Sequence, residues 1–85
     1  MIPLLPGLRR EQPLPLVLVA DEDLRVVELL AFAFQANHFR VSVTQDGDEA
    51  LRRAQTEHPD LVVADVRLPK RGGLELCDLL RRDPE

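Results

Sequence analysis

Apolar residues in this chain form short runs that end at acidic or turn-forming residues, and these runs alternate with stretches of helical periodicity. Continuous aliphatic and β-branched runs are typical of parallel strands that are buried on both faces. The pattern predicts three strands, Leu16–Ala20, Arg40–Thr44 and Leu61–Ala64, and three helices, residues 23–36, 48–57 and 74–82. The order βαβαβα predicts an α/β fold with a parallel sheet and right-handed crossovers.

Acidic residues follow the first and third predicted strands directly. Asp21, Glu22 and Asp23 come after the first strand, and Asp65 comes after the third. Because the carboxyl ends of parallel strands meet at one edge of a sheet, Asp21, Glu22 and Asp65 are expected at the same rim. Crowded carboxylates repel one another and a cation relieves that repulsion, so this rim is a candidate metal site.

Length and composition limit the chain to one small domain. It has 85 residues, of which 45% are hydrophobic, enough to build a core but not a large one. Prolines interrupt the first 15 residues at positions 3, 6, 13 and 15. Proline fixes φ and removes a hydrogen-bond donor, so residues 1–15 are expected to be a flexible leader before a domain over residues 16–85.

Charge and residue usage argue against several classes of partner. The net charge is −4, the arginines are scattered, and Trp and Tyr are absent, which argues against direct nucleic acid binding. Membrane binding is not expected either, because no apolar run reaches the roughly 18 residues that a membrane span needs.

The single Cys77 cannot form an internal disulfide, which favours a reducing, cytoplasmic setting. We interpret Cys77 as a core residue of the third helix, beside Leu76 and Leu80.

Three blocks of sequence carry a resemblance to a known family. LVLVADED, QDGDEAL and above all HPDLVVADVRLPKRGGLELCDLLRRDP resemble the response-regulator receiver domain of two-component signalling, from position 16 to position 85. The resemblance implies a flavodoxin-like (CheY-like) doubly wound parallel sheet, of which the chain holds the βαβαβα portion. The family continues with two more strands and two more helices, so the domain is expected to be incomplete at its C-terminus.

The resemblance also implies a role for each rim residue. Asp65 matches the phosphoacceptor aspartate, and Asp21 and Glu22 match the acidic pair that helps Asp65 to hold Mg2+. Arg67 matches the position whose backbone carbonyl completes the metal site. The phosphoryl donor would be a sensor histidine kinase or a phosphotransfer protein, and the domain would be a signalling acceptor, not an enzyme.

Two departures from the family pattern bear on this site. Glu22 stands where the family usually has Asp, and its longer side chain is a real change for the rigid ligand shell of Mg2+. The family's lysine that contacts the phosphoryl group lies in the later part of the fold. Lys70 is the only lysine of this chain and lies in the loop after the third strand, where we interpret it as a solvated charge.

Two other functions remain open. One is a pseudo-receiver, an interaction module that is never phosphorylated, which the Glu22 substitution favours. The other is a haloacid-dehalogenase-like phosphohydrolase, in which Asp21 would be the nucleophile and Asp23 the acid/base. That second alternative leaves Asp65 and the following Leu68-Pro69 unexplained.

The third strand and the first helix are candidate self-association surfaces. In the strand order that the family implies, the third strand would be an unpaired apolar edge. The first helix is apolar nearly all round and needs covering on several sides. Self-association through either surface is therefore possible on physical grounds.

Overall fold

A computed structural model describes residues 13–82 of the chain as three strands and three helices. The elements are β1 (Leu16–Ala20), α1 (Leu24–Ala36), β2 (Arg40–Thr44), α2 (Gly47–Glu57), β3 (Leu61–Ala64) and α3 (Gly73–Arg82). All three predicted strands are confirmed at their predicted bounds, and α2 and α3 each begin one residue before the predicted start. The predicted leader lies outside the described residues, except for residues 13–15, which have no regular structure.

The strands form a parallel sheet, as the βαβαβα order predicts, and they stand in the order β2-β1-β3, which agrees with the order that the family resemblance implies. Val19 of β1 is in register with Val43 on one side and with Val63 on the other. β1 is thus the central strand, and all five of its residues are buried. Within the described part of the chain, β2 and β3 are the two edges of the sheet.

Successive residues of a strand point to opposite faces, so β1 contributes to two cores. On one face the core packs against α1, and its buried members are Val17, Val19 and Val27. On the other face it packs against α2 and α3, with Leu18, Ala20, Ala50, Ala54, Leu68 and Leu76 buried. Helices on both faces of a parallel sheet explain why β1 reads as an uninterrupted apolar run.

The interpretation of Cys77 as a core residue is wrong. Leu76 is fully buried and Leu80 packs against the same core, whereas Cys77 is exposed. Residues four apart share a helix face, but neighbouring residues are separated by about 100° around the axis. Placing Leu76 against the sheet therefore turns the thiol of Cys77 outward.

No helix within residues 13–82 is both long enough and apolar enough to cross a membrane.

Candidate functional site at the carboxyl edge of the sheet

Asp21 and Asp65 lie side by side where β1 and β3 end. Their preceding residues, Ala20 and Ala64, are partners in the sheet register. The hydrogen-bond ladder continues past the strands, because the Asp65 backbone N–H donates to the Ala20 carbonyl at 2.9 Å. The Asp21 N–H donates in the same way to the carbonyl of Thr44 at 3.2 Å. The sheet itself therefore fixes the backbone of both acidic residues.

A cleft of about 390 Å³ opens at this edge, between α1 and β3. Its apolar part is lined by Val19, Ala20, Val26, Leu30, Val63 and Ala64. Its polar part is lined by Asp21, Asp23, Asp65 and Arg67. The cleft thus combines an apolar wall with a rim of carboxylates, which suits a small charged group more than an apolar ligand.

Each of the two strand-end carboxylates is oriented by a backbone N–H two residues further on. The Asp21 Oδ1 accepts from the Asp23 N–H at 2.9 Å, and the Asp65 Oδ1 accepts from the Arg67 N–H at 3.1 Å. Such local Asx hydrogen bonds fix the side chain without using its second oxygen. No residue in the described range donates a hydrogen bond to the Oδ2 atom of Asp21 or of Asp65.

Asp23 also lines the cleft, but its carboxylate is engaged with the start of α1. It is the N-cap of that helix and accepts from the Arg25 N–H at 2.9 Å. Its Oδ2 also pairs with the Arg25 guanidinium at 3.2 Å. The side-chain hydrogen bond from Arg25 holds the pKa of Asp23 below its usual value. Asp23 therefore acts as the negatively charged N-cap of α1.

Glu22 is exposed and is absent from the residues that line the cleft. Its backbone carbonyl accepts a hydrogen bond from the Gln45 side-chain amide at 3.2 Å. The structure thus brings Asp21, Asp65 and Arg67 to one cleft and leaves the Glu22 side chain outside it. A ligand role for Glu22 stays a prediction.

The oxygen donors of the cleft fit Mg2+ with two carboxylates. Across residues 13–82, no group of three or more His, Cys, Asp or Glu side chains is arranged to hold a metal. Mg2+ needs only one or two carboxylates, because it keeps several waters in its octahedral shell. Asp21, Asp65 and the Arg67 carbonyl would therefore suffice, and all three residues line the cleft.

Two glycines, Gly47 and Gly73, allow the loop after β3 to pack closely against α2 and α3. A Cβ at Gly47 would overlap the Arg71 carbonyl, and a Cβ at Gly73 would lie 2.5 Å from the Asp65 carbonyl oxygen. The loop after β3 therefore approaches α2 and α3 more closely than any side chain would permit. The sequence does not reveal these close contacts. Gly47 meets Arg71 from a distant part of the chain, and Gly73 meets Asp65 only because the loop between them folds back.

Lys70 lies away from the cleft. It does not line the cleft, and its Nζ is 3.9 Å from the Asp46 Oδ2 at the start of α2. Its side chain is 66% exposed, so this pair is a solvated surface contact. The interpretation of Lys70 as a solvated charge agrees with this placement.

Comparison with known sequences identifies relatives that share most of the chain. A family model described as "Response regulator receiver domain" matches residues 17–85. The alkaline phosphatase synthesis transcriptional regulatory protein PhoP of Bacillus subtilis is 44% identical over 66 residues, which cover 78% of this chain and 28% of that protein. The DNA-binding response regulator MtrA of Mycobacterium tuberculosis is 36% identical over 67 residues, which cover 79% of this chain and 29% of that protein. The chain thus spans less than a third of these relatives.

Comparison with solved structures agrees with the fold. A putative response regulator from Chloroflexus aurantiacus superimposes with a TM-score of 0.80 at 32% identity, covering 86% of this chain and 59% of that one. The chemotaxis response regulator CheY4 of Vibrio cholerae gives a TM-score of 0.79 at 27% identity, and the match covers 82% of this chain and 58% of that one. The chain is thus similar in fold to rather more than half of each of these structures.

Proposed function

Because this chain belongs to the response regulator receiver domain family, we propose that Asp65 accepts a phosphoryl group from a phosphohistidine donor in the presence of Mg2+. The observation that carries the proposal is the cleft in which Asp65 and Asp21 lie at adjacent strand ends. A carboxylate with one free oxygen, held beside a second carboxylate, suits both nucleophilic attack and metal binding.

The chemistry follows from how the cleft holds Asp65. Its Oδ1 is fixed by the Arg67 N–H, which leaves Oδ2 to attack phosphorus. The new O–P bond forms an acyl phosphate, while the P–N bond of the donor breaks and the imidazole nitrogen keeps the electron pair. When bound at this site, Mg2+ would neutralise the charge on the phosphoryl oxygens. Asp21 and the Arg67 carbonyl are the groups of this chain that would hold the metal with Asp65.

The partners follow from that chemistry. The donor is a sensor histidine kinase or a phosphotransfer protein, and the reaction takes place in the cytoplasm. The chain itself becomes modified, because it accepts one phosphoryl group on Asp65, so in this proposal it is a substrate and not an enzyme. Direct contact with nucleic acid is not part of the proposal, because the DNA binding in the name of the mycobacterial relative refers to a protein of which this chain spans only 29%.

Acetyl phosphate with Mg2+ tests the proposal on the 85-residue chain. Intact-protein mass spectrometry should show one added phosphoryl group on the wild type and none on Asp65→Asn. Asp21→Asn should retain slow labelling, because it removes a metal ligand and not the nucleophile. Asp78→Asn is the matched control, since Asp78 pairs with Arg82 on α3. It should label like the wild type.

Other labelling patterns would contradict the proposal. Labelling that survives Asp65→Asn and disappears with Asp21→Asn would favour the dehalogenase-like alternative. The engagement of Asp23 with Arg25 argues against that alternative, which needs Asp23 as the acid/base.

A pseudo-receiver is the second candidate function, because Glu22 lies outside the cleft and no group of three acidic ligands is found among the described residues. Absence of both labelling and Mg2+ binding in the folded wild type would select it. The chain would then act as an interaction module.

A further inference from the structure

The loop over residues 65–72 connects β3 to α3 and carries both Asp65 and Arg67. At its first end the sheet holds it, through the hydrogen bond from the Asp65 N–H to Ala20 at 2.9 Å. In its middle Leu68 is only 6% exposed and packs into the core under α2 and α3. These two anchors flank Arg67, and residues 69–72, beyond Leu68, need a further anchor of their own.

That other end is held against α2. The Pro69 carbonyl accepts from the Gly47 N–H at 3.0 Å. The Arg71 Nε donates to the Asp48 Oδ1 at 2.9 Å, and its Nη1 donates to the Glu75 Oε2 at 3.0 Å. Arg71 is 28% exposed. One guanidinium thus joins the first turn of α2 to the first turn of α3.

The charges explain why an arginine suits this place. Asp48 and Glu75 both lie in the first turns of their helices, where the helix dipole favours a negative charge. Two carboxylates that converge would repel each other without a cation between them. The planar guanidinium presents several donors in a fixed fork and so reaches both, which the single ammonium of a lysine does not reproduce.

We propose that Arg71 is a positioning residue for the cleft. Through Asp48 and Glu75 it holds residues 69–72 of the loop against α2 and α3, and together with the anchors at Asp65 and Leu68 this fixes the Arg67 carbonyl. The effect on the metal rests on the function proposed above. The effect on the loop does not, because it follows from contacts that are present without metal.

The direction of the effect on Mg2+ binding separates this role from simple electrostatics. Removing the positive charge of Arg71 should tighten the binding of Mg2+ to Asp21 and Asp65 if charge alone matters. Releasing the loop should weaken Mg2+ binding severalfold, because the Arg67 carbonyl would no longer be held in place. Arg71→Lys keeps the charge and loses the fork, so only the positioning role predicts weaker binding.

Isothermal titration of the whole chain with Mg2+ alone provides the measurement. Arg71→Ala and Arg71→Lys should both bind more weakly than the wild type. Arg82→Ala is the matched control, because it removes the same charge from an ion pair with Asp78 on α3, away from the loop. Its affinity should be unchanged. Equal or tighter binding by both Arg71 variants would overturn the proposal.

Amide hydrogen exchange without metal gives a second and independent measurement. The N–H groups of Gly47 and Gly73 donate to Pro69 and Val66 of the loop, so they should exchange at least several-fold faster in Arg71→Lys. In Arg71→Lys, the amides of β1 should exchange as in the wild type. In the control Arg82→Ala, the amides of Gly47 and Gly73 should also exchange as in the wild type. Unchanged loop exchange would overturn the proposal even if Mg2+ binding weakened.

The two measurements also distinguish the failures. If the folded wild type binds no Mg2+, the proposed function fails and the metal role of Arg71 falls with it. The exchange data still decide whether Arg71 holds the loop. If Arg71→Ala does not fold, Arg71→Lys decides both points.

Discussion

Asp46 shows how one side chain can secure a helix end that supports the cleft. It is the N-cap of α2 and accepts from the Glu49 N–H at 2.8 Å. This hydrogen bond is the largest cause of a pKa of Asp46 below its usual value of 3.8, and the charge of Lys70 acts in the same direction. Because the Pro69 carbonyl binds the next residue, Gly47, the cap also supports the loop that carries Asp65.

The depressed pKa of Asp46 predicts a loss of stability in acid. A carboxyl group whose pKa is lowered by folding stabilises the native state above its unfolded pKa of 3.8, and this contribution is lost as the pH falls through the folded pKa. Asn is an equally good N-cap, so Asp46→Asn should unfold like the wild type at pH 7. Between pH 5 and pH 2 it should lose less stability. Urea unfolding across this range checks the prediction, and parallel curves would contradict it.

At the scale of the elements, Asp60 ties the start of β3 to the start of β1. Its Oδ2 accepts from the Leu16 N–H at 2.8 Å, and its own N–H donates to the Leu16 carbonyl at 2.8 Å. The side chain and the backbone N–H of Asp60 thus both bind the Leu16 backbone, at the end of the sheet opposite to the cleft. The register that places Asp65 beside Asp21 is fixed from both ends of β3.

Replacing Asp60 should therefore destabilise the sheet. Asp60→Ala leaves the Leu16 N–H without its acceptor and should lower the free energy of unfolding by about 1–2 kcal/mol. Asp60→Asn keeps an acceptor oxygen and should cost less. Urea unfolding of both variants measures the difference. An alanine variant as stable as the asparagine variant would show that water satisfies the Leu16 N–H equally well.

The elements themselves were readable from the sequence, whereas the contacts between them were not. The run from Leu16 to Ala20 predicted a strand that is buried on both faces, because both of its faces are apolar. Arg71, by contrast, is unremarkable in the sequence, and its role depends on Asp48, which lies 23 positions away. Local patterns determine which residues form a helix or a strand, but pairing between distant polar side chains depends on the packed geometry.

At the scale of the whole molecule, apolar surface remains exposed on α1 and at the edge of β3. Leu29 and Phe32 are 68% and 72% exposed, and Leu61 of β3 is 42% exposed. Large apolar side chains exposed at such levels, and an edge strand with an exposed apolar residue, each favour association with another surface. These are the two surfaces at which the sequence predicted self-association.

We therefore expect the 85-residue chain to self-associate in a concentration-dependent manner. Phe32→Glu should shift the population toward monomer, because it places a charge in the centre of the exposed face of α1. Leu74→Glu is the matched control, since Leu74 is equally exposed but lies on α3. Sedimentation velocity at several concentrations measures the shift. A wild type that stays monomeric at all concentrations would refute the expectation.

The central position of β1 has a consequence for synthesis on the ribosome. β1 is made first, yet both of its neighbours, β2 and β3, follow it in the chain. Its five apolar residues therefore have no strand partner until β2 has been translated, and only one until β3 follows, a delay on the order of seconds at usual elongation rates. During that interval the nascent segment has the composition of an aggregation-prone strand. The strand that is most deeply hidden in the finished fold is thus the segment that ribosome-bound chaperones would have to shield.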